Sequence, residues 1–232
     1  MIELRPFSGL GGGQHGWLDS KHHFSFADYH DDARMVWGRL RVWNDDEITA
    51  GSGFATHPHA NVEIITYVTQ GAITHKDSLG NTGRTEAGDV QVMSAGTGIQ
   101  HSEWNHEAQT TKLFQIWITP NQRGGAPFWD ARPFPKDTRA GQFVTLASGL
   151  PADADVLPIR ADARVAGATL KAGEATEYKL GVGRYAYLVA ARGQIEVNGV
   201  RASARDGLAI ADEDVLRVVA LEDAEVVLVD AG

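Results

Sequence analysis

Two histidines and a glutamate lie close together in the segment GSGFATHPHANVEIITYV, residues 51 to 68. Side chains two apart on a β-strand point to the same face, so His57, His59, Asn61 and Glu63 would share one face of a single strand. Imidazoles spaced by roughly 6–7 Å can reach one metal ion through bonds of about 2 Å. Pro58 cannot donate a ladder hydrogen bond, which predicts a strand start or edge. Two surface histidines in a loop are the alternative interpretation.

A second pair of the same kind follows in the segment SAGTGIQHSEWN, where His101 and Glu103 are again two residues apart. Gly96 and Gly98 just before them predict a tight turn that leads into this strand. Three histidines and one carboxylate, with one or two positions left for water or substrate, suit a divalent transition metal. Spacing alone leaves Glu63 and Glu103 as competing candidates for the fourth ligand.

The composition restricts where such a site can be and what can bind it. All nine histidines occur at or before position 106, and the chain has no cysteine. Any metal must therefore be held by His, Asp or Glu, and a site that uses imidazole must be in the first half. A net charge of −9 argues against binding to nucleic acid or to an anionic membrane. No apolar run approaches the roughly 20 residues of a membrane-spanning helix, and the first residues lack a signal-peptide core. We therefore expect a cytoplasmic protein.

Short β-rich runs separated by Gly, Asn and Asp recur along all 232 residues, while helical periodicity is scarce. This pattern predicts an all-β sandwich or barrel. A Gly- and Pro-rich segment, residues 121 to 137, is the candidate linker between two halves. A repeat at an offset of 122 residues relates three positions in each half, namely Gly51, Gly71 and Ile73 to Gly173, Gly193 and Ile195. At this offset His57, His59 and Glu63 align with Lys179, Gly181 and Tyr185, so the second half lacks the candidate ligands.

The two segments that contain the candidate ligands resemble cupin motifs. The first fits G-x5-H-x-H-x3-E from Gly51 to Glu63, although its closing glycine, Gly71, comes one residue late. The second resembles the other cupin motif at Gly88, Gly96, His101 and Asn105, with Ser94 in place of the usual proline and two extra residues before His101. The runs FATHPHANVEIITYV, HKDSLGN, GDVQVMSAGTGIQHSE and KHHFSFADYHD resemble the pirin family of two-cupin proteins, quercetin 2,3-dioxygenase type.

This resemblance implies a bicupin, with two antiparallel β-barrel or jelly-roll domains packed face to face. The metal-binding cupin would span residues 1–135, and a cupin without metal ligands, similar to that of bacterial pirin-like proteins, would span residues 136–232. It also implies that His57, His59, His101 and Glu103 bind the metal. Glu63 would then be hydrogen-bonded beside the site. The metal would be one divalent transition ion, iron in the first place, with nickel, copper, manganese, zinc and cobalt left open.

The activity that the resemblance implies is opening of a flavonol heterocycle by O2 with release of carbon monoxide. The metal would acidify the flavonol 3-hydroxyl, and Glu103 would take its proton. Flavonols or other phenols would be the substrates. The alternative is a non-enzymatic, metal- or redox-sensing regulator that acts through a protein partner. Independently of the resemblance, we expect a monomer.

No direct role in the metal site is predicted for the remaining histidines. His22, His23 and His30 flank FSFADY, a segment that could pack over the site. We expect His75 and His106 to be exposed strand or loop residues.

Overall fold

The computed structural model describes residues 1–134, 137 and 139–232. Within these ranges the chain forms β-strands and two short 3₁₀ turns, Phe7–Gly9 and Asp32–Arg34, and no α-helix. The strands of the first half are β1 (Ile2–Arg5), β2 (Gly11–Gln14), β3 (Leu18–His22), β4 (Leu40–Ile48), β5 (Gly53–His59), β6 (Glu63–Gln70), β7 (Ala72–Asp77), β8 (Thr82–Glu86), β9 (Val90–Ser94), β10 (Ile99–Trp104), β11 (Thr111–Ile118) and β12 (Phe128–Arg132). Those of the second half are β13 (Val144–Ser148), β14 (Leu157–Pro158), β15 (Ala163–Leu170), β16 (Ala175–Lys179), β17 (Tyr185–Arg192), β18 (Ile195–Val197), β19 (Val200–Ala202), β20 (Gly207–Ala211), β21 (Val215–Ala220) and β22 (Ala224–Ala231).

Each half contributes one seven-stranded and one four-stranded sheet. In the first half the strand orders are β12-β9-β6-β11-β4-β3-β2 and β5-β10-β7-β8. In the second half they are β1-β20-β17-β22-β15-β13-β14 and β16-β21-β18-β19. The two small sheets therefore have the same strand order when β5 to β11 are matched with β16 to β22. The central strands of the two large sheets also have the same order, β9-β6-β11-β4 in the first and β20-β17-β22-β15 in the second. This correspondence agrees with the repeat predicted at an offset of 122 residues.

The two seven-stranded sheets share one hydrophobic cluster. It contains Trp43 and Phe114 from the first half and Tyr187, Val189 and Val227 from the second, all essentially buried. Burial of apolar surface at roughly 25 cal/mol per Å2 is the main force that holds such layers together. The contact between the halves is therefore part of the core rather than a loose domain boundary.

The predicted all-β, two-domain fold is confirmed, whereas the predicted closed barrels are not confirmed. Each sheet is open in its strand order, so a closed barrel or complete jelly roll is not confirmed. The first strand pairs with β20, which places residues 2 to 5 in the large sheet of the second half. The predicted boundary between residues 135 and 136 lies outside the described residues, and the division into 1–135 and 136–232 stays a prediction.

Candidate metal centre

Three histidines converge at one end of the small sheet of the first half. β5 is the edge strand of this sheet, as Pro58 predicted, and it pairs with β10 so that His57 lies directly opposite His101. Among the described residues, His57, His59 and His101 form a group whose candidate ligand atoms all lie within 4.8 Å of one another. Histidines of the two predicted segments therefore meet in space, although His57 and His101 are more than forty positions apart in the chain.

The spacing of two of the candidate ligand atoms, on His57 and His101, fits one metal ion. Two nitrogens, each about 2.1 Å from an ion at tetrahedral or octahedral angles, are about 3.0–3.4 Å apart. The Nε2 atoms of His57 and His101 are 3.1 Å apart. Nδ1 of His57 donates to the carbonyl of Ala55 at 2.7 Å, so the lone pair of the neutral ring is on Nε2, towards His101.

The surroundings of His59 and His101 favour the neutral form of both rings. Burial and then the neighbouring His57, His59 and His75 lower the pKa of His101 to about 2. Burial and then His57 lower the pKa of His59 to about 4. Neutral imidazole is the form that binds metals, so no proton has to be displaced from these rings at neutral pH.

Glu103 lies on the same strand as His101 but outside the group of three histidines. Its side chain is buried, and its carboxylate accepts hydrogen bonds from Gln91 at 2.7 Å, Thr66 at 3.2 Å and Gln115. Burial raises the pKa of Glu103 to about 7, against the opposing effect of these hydrogen bonds. A buried carboxyl with such a pKa can exchange a proton near neutral pH.

Glu63 does not share a strand face with the two histidines, and that prediction was wrong. β5 ends at His59, and Asn61 adopts a φ of 57°, which turns the chain into β6 of the other sheet. The Glu63 carboxylate accepts hydrogen bonds from the Ser94 hydroxyl at 2.8 Å and from the backbone N–H of Arg160 at 3.1 Å. These contacts join β6 to β9 and to a loop of the second half.

His75 is the site neighbour that sequence reasoning missed. It was expected to be exposed, yet its side chain is fully buried and its Nδ1 lies 3.5 Å from Nδ1 of His101. Its Nε2 lies 3.0 Å from a carboxylate oxygen of Asp77. The signal was present in the sequence, since His75 and Asp77 are two residues apart on a β-strand, as are His57 and His59.

The histidines of the FSFADY region have separate positions. His22 lines the cavity beside the cluster, as do Phe26 and Ala27 of the same region. His23 is buried, with Nδ1 2.9 Å from the hydroxyl of Tyr187. His30 is exposed and lies 2.9 Å from Asp32.

A cavity of about 390 Å3 opens beside the histidine cluster. His57 and His59 form part of its wall, and aromatic side chains form much of the rest, namely Trp17, Phe26, Phe54 and Trp117. Its polar lining comes from residues that include Ser20, Asn44, Asp46 and Gln115. The cavity combines flat apolar walls with a few polar groups, as small-molecule sites do.

Asp46 is a buried carboxyl in this wall, and it accepts a hydrogen bond from the Ser20 hydroxyl. Burial raises the pKa of Asp46 to about 7; the Ser20 hydrogen bond opposes this shift, while the charges of Asp45 and Glu103 add to it. The folded protein therefore retains a proton that the unfolded chain releases above its ordinary pKa of 3.8. The contribution of Asp46 to stability is therefore lost as pH rises from about 4 to 7.

We expect Asp46→Asn to remove this pH dependence in the metal-free protein. The variant should gain stability over the wild type by on the order of 2 kcal/mol between pH 5 and pH 8, because only the wild type loses the proton there. Urea denaturation at both pH values measures the difference. Asp28→Asn, at an exposed aspartate, is the control and should show no such gain. Equal pH slopes for wild type and Asp46→Asn would contradict the assignment.

Among the described residues, no helix is long and apolar enough to cross a membrane.

The fold and the histidine cluster together define a cupin-type protein with two β-domains and a candidate metal site in the first. The pirin family model matches residues 5–118, and the model of the quercetinase C-terminal cupin domain matches residues 145–231. The chain belongs to the pirin family, and the resemblance seen in its motifs is confirmed.

Similar proteins cover the whole chain. A pirin-like protein of Caulobacter vibrioides is 65% identical over 232 residues, 100% of both chains. Quercetin 2,3-dioxygenase of Escherichia coli strain K12 is 42% identical over 231 residues, 99% of this chain and 98% of that protein. The crystal structure of the bacterial pirin YhhW from Escherichia coli in complex with nickel(II) is 41% identical, covers 100% of this chain and 99% of that one, and has a TM-score of 0.93.

Proposed function

We propose that this protein is a metal-dependent dioxygenase of the quercetin 2,3-dioxygenase type, which opens a flavonol heterocycle with O2 and releases carbon monoxide. The observation that carries the proposal is the position of His57 and His59, which belong to the three-histidine cluster and also form the wall of an aromatic-lined cavity. A metal held there would face a bound substrate directly. The name and full-length similarity of the Escherichia coli relative support the same reaction class.

The histidines would hold the metal, and a nearby carboxyl would handle the proton. His57, His59 and His101 would supply three imidazole nitrogens, and Glu103 is proposed as the fourth ligand and as the base. A metal held by these residues would supply positive charge that makes a phenolic hydroxyl more acidic. Glu103 takes the proton released by this hydroxyl, and Gln91 and Gln115 keep its carboxylate in place by donating hydrogen bonds to it.

Cavity shape supports a planar, hydroxylated aromatic substrate. Trp17 and Phe54 meet edge to face, with ring centroids 5.1 Å apart, and Trp117 packs edge to face against His59 at 4.9 Å. Flat apolar surfaces of this kind bury aromatic rings, while the hydroxyl and amide groups of Ser20 and Asn44 can pair with phenolic hydroxyls. The size, about 390 Å3, is within the range for small-molecule sites.

We propose one divalent transition ion as the cofactor. Three imidazoles and a carboxylate suit iron, nickel, copper, manganese, zinc and cobalt alike, and availability decides between ions of similar affinity. Iron remains our first candidate, and nickel is the second because the Escherichia coli pirin YhhW has been crystallised with it. Metal analysis of protein purified without added metal distinguishes these ions.

The remaining properties follow from charge and packing. We propose a cytoplasmic monomer that does not bind nucleic acid directly, since its net charge of −9 repels a phosphate backbone. We also propose that residues 136–232 form a cupin that stabilises the first domain, because the two large sheets share a buried cluster.

The function is tested by incubating the metal-loaded protein with quercetin under air and under nitrogen. We expect flavonol absorbance to decay only with O2, with uptake of O2 and release of carbon monoxide in equal amounts. Unchanged quercetin with fully metal-loaded protein under air would reject this activity. Consumption that continues under nitrogen would instead indicate a different reaction class.

Phe54→Ala should weaken substrate binding more than it affects the chemical step. Phe54 lines the cavity and is only half-buried, so removing its ring deletes substrate contact at a modest cost to the fold. The loss of about 1–2 kcal/mol of apolar contact corresponds to a KM increase of about 5- to 30-fold. Steady-state kinetics with quercetin measures KM and kcat.

Phe143→Ala is a matched control for this experiment. Phe143 is also half-buried and packs edge to face against an aromatic ring, Tyr178 at 5.3 Å, but in the second half of the chain. It should leave KM unchanged. Equal KM values for Phe54→Ala and Phe143→Ala would mean that this cavity does not hold the substrate.

A further inference from the structure

A buried histidine–aspartate pair, His75 and Asp77, lies next to His101 on the side opposite His57. We propose that Asp77 and His75 are positioning residues that hold His101 through a hydrogen-bond chain and so increase the affinity of the site for a metal. This inference rests on the proposed role of His101 as a ligand. It adds two residues that lie outside the group of three histidines and outside the cavity lining.

The strand order builds this chain. β10 lies between β5 and β7, so His101 has His57 on one side and Asp77 on the other. Nε2 of His101 is 3.1 Å from Nε2 of His57, and Nδ1 of His101 is 3.5 Å from Nδ1 of His75. Nε2 of His75 is 3.0 Å from the Asp77 carboxylate. The two ring nitrogens of His101 thus have separate partners, one in the cluster and one behind it.

The hydrogen bonds determine which nitrogen carries each proton. The Asp77 carboxylate already accepts bonds from the backbone N–H groups of Leu79 and Asn81 and from the Asn81 side-chain amide, at 2.9–3.1 Å. It acts as an acceptor towards His75 as well, so Nε2 of His75 donates. In a neutral ring Nδ1 is then the acceptor, and Nδ1 of His101 must donate to it. This leaves the lone pair of His101 on Nε2, directed at the cluster.

Packing fixes the position of His75. Trp129 stacks on its ring, with centroids 4.8 Å apart and planes 6° from parallel. Gly83 lies opposite His75 on β8, and a Cβ at this position would come within 2.1 Å of the Trp129 ring. The side chains of His75 and Asp77 are both 0% exposed. Their hydrogen bonds therefore do not compete with water.

An outer hydrogen bond of this kind orients a ligating histidine and raises its basicity, and its removal commonly costs 10- to 100-fold in metal affinity. The test is titration of the full-length, metal-free protein with Co2+, which reports a dissociation constant and a visible spectrum without any catalytic assay. His75→Phe keeps a ring that can stack on Trp129 but removes the acceptor. We expect its dissociation constant for Co2+ to rise by about 10- to 100-fold, with a changed spectrum.

His106→Phe is the matched control, because His106 also stacks on a tryptophan, Trp104 at 6.4 Å, but is exposed. It should bind Co2+ like the wild type. His75→Asn places an acceptor oxygen near the former Nδ1 and should recover part of the lost affinity. A folded His75→Phe protein with wild-type affinity and spectrum would overturn the proposal.

Two further outcomes are also decisive. If His75→Phe does not fold, Asp77→Asn replaces it: weaker Co2+ binding supports the chain, and unchanged binding overturns it. If the wild type itself fails to bind Co2+ with a spectrum that depends on His57, the proposed metal site fails and this inference fails with it. If only this inference fails, Co2+ binding should be tight and should depend on His57, but substitutions at residues 75 and 77 should not change it.

Discussion

His101→Ala should lose both metal binding and O2-dependent consumption of quercetin. His101 is the only histidine of the cluster on β10, and its Nε2 faces that of His57 at 3.1 Å, so its removal leaves just the two candidate ligand histidines of one edge strand. The loss in metal affinity should exceed the roughly hundredfold change caused by removing an outer partner. Metal content after dialysis and quercetin decay under air measure the two effects.

His30→Ala is the control for this substitution. His30 is an exposed histidine with an aspartate neighbour, and it lies outside the cavity lining. It should retain metal content and activity. A His101→Ala protein that still binds one metal ion per chain and turns over quercetin would contradict the assignment of the cluster.

The three histidines could be predicted from the sequence because their signal is local. Alternation along a strand places residues two apart on one face, and β10 follows it, with Ile99, His101 and Glu103 buried and Gln100 exposed. The matching spacing of the two pairs predicted that they form one site, and the resemblance to cupin motifs supported this. The register that places His57 opposite His101 depends on strand pairing across more than forty residues.

The error at Glu63 has a local cause that the pattern did not reveal. Alternation holds only while the strand continues, and the left-handed backbone at Asn61 ends it. Asparagine is one of the few residues that adopts this conformation readily, so the position could have been suspected as a turn. The role of His75 was missed for the opposite reason. Its H-x-D spacing is as regular as the other pairs, but its importance depends on β7 lying next to β10.

At the level of the fold, strand content and the repeat were predictable from turn residues and spacing. The pairing of β1 with β20 was not, because it joins residues about two hundred positions apart. The same holds for the buried cluster between the large sheets. Periodicity in sequence reports which face of a strand is buried, but it does not report which other strand covers that face.

Glu103→Gln should lower kcat strongly, whereas Glu63→Gln should not. Both glutamates are 1% exposed, and both substitutions preserve shape, so the pair compares two buried carboxylates directly. A Gln at 103 cannot take a proton, and removing a general base costs about 10²–10⁴ in rate. The NH2 group of this Gln must also face at least one of the groups that now donate hydrogen bonds to the carboxylate, on Thr66, Gln91 and Gln115. Single-turnover decay of quercetin by metal-loaded protein measures the effect.

The two positions should separate in stability as well as in rate. Glu63 accepts hydrogen bonds from Ser94 and from the backbone of Arg160, so Glu63→Gln should lower the free energy of unfolding, measured by urea denaturation, by about 1–3 kcal/mol. Any loss of activity should stay below the 10- to 100-fold that is typical when a residue next to a metal ligand is replaced. If Glu63→Gln lost activity by more than a thousandfold while Glu103→Gln stayed active, the roles of the two carboxylates would have to be exchanged. The first cupin motif would then contain both the histidines and the reactive carboxylate, and β10 would supply only His101.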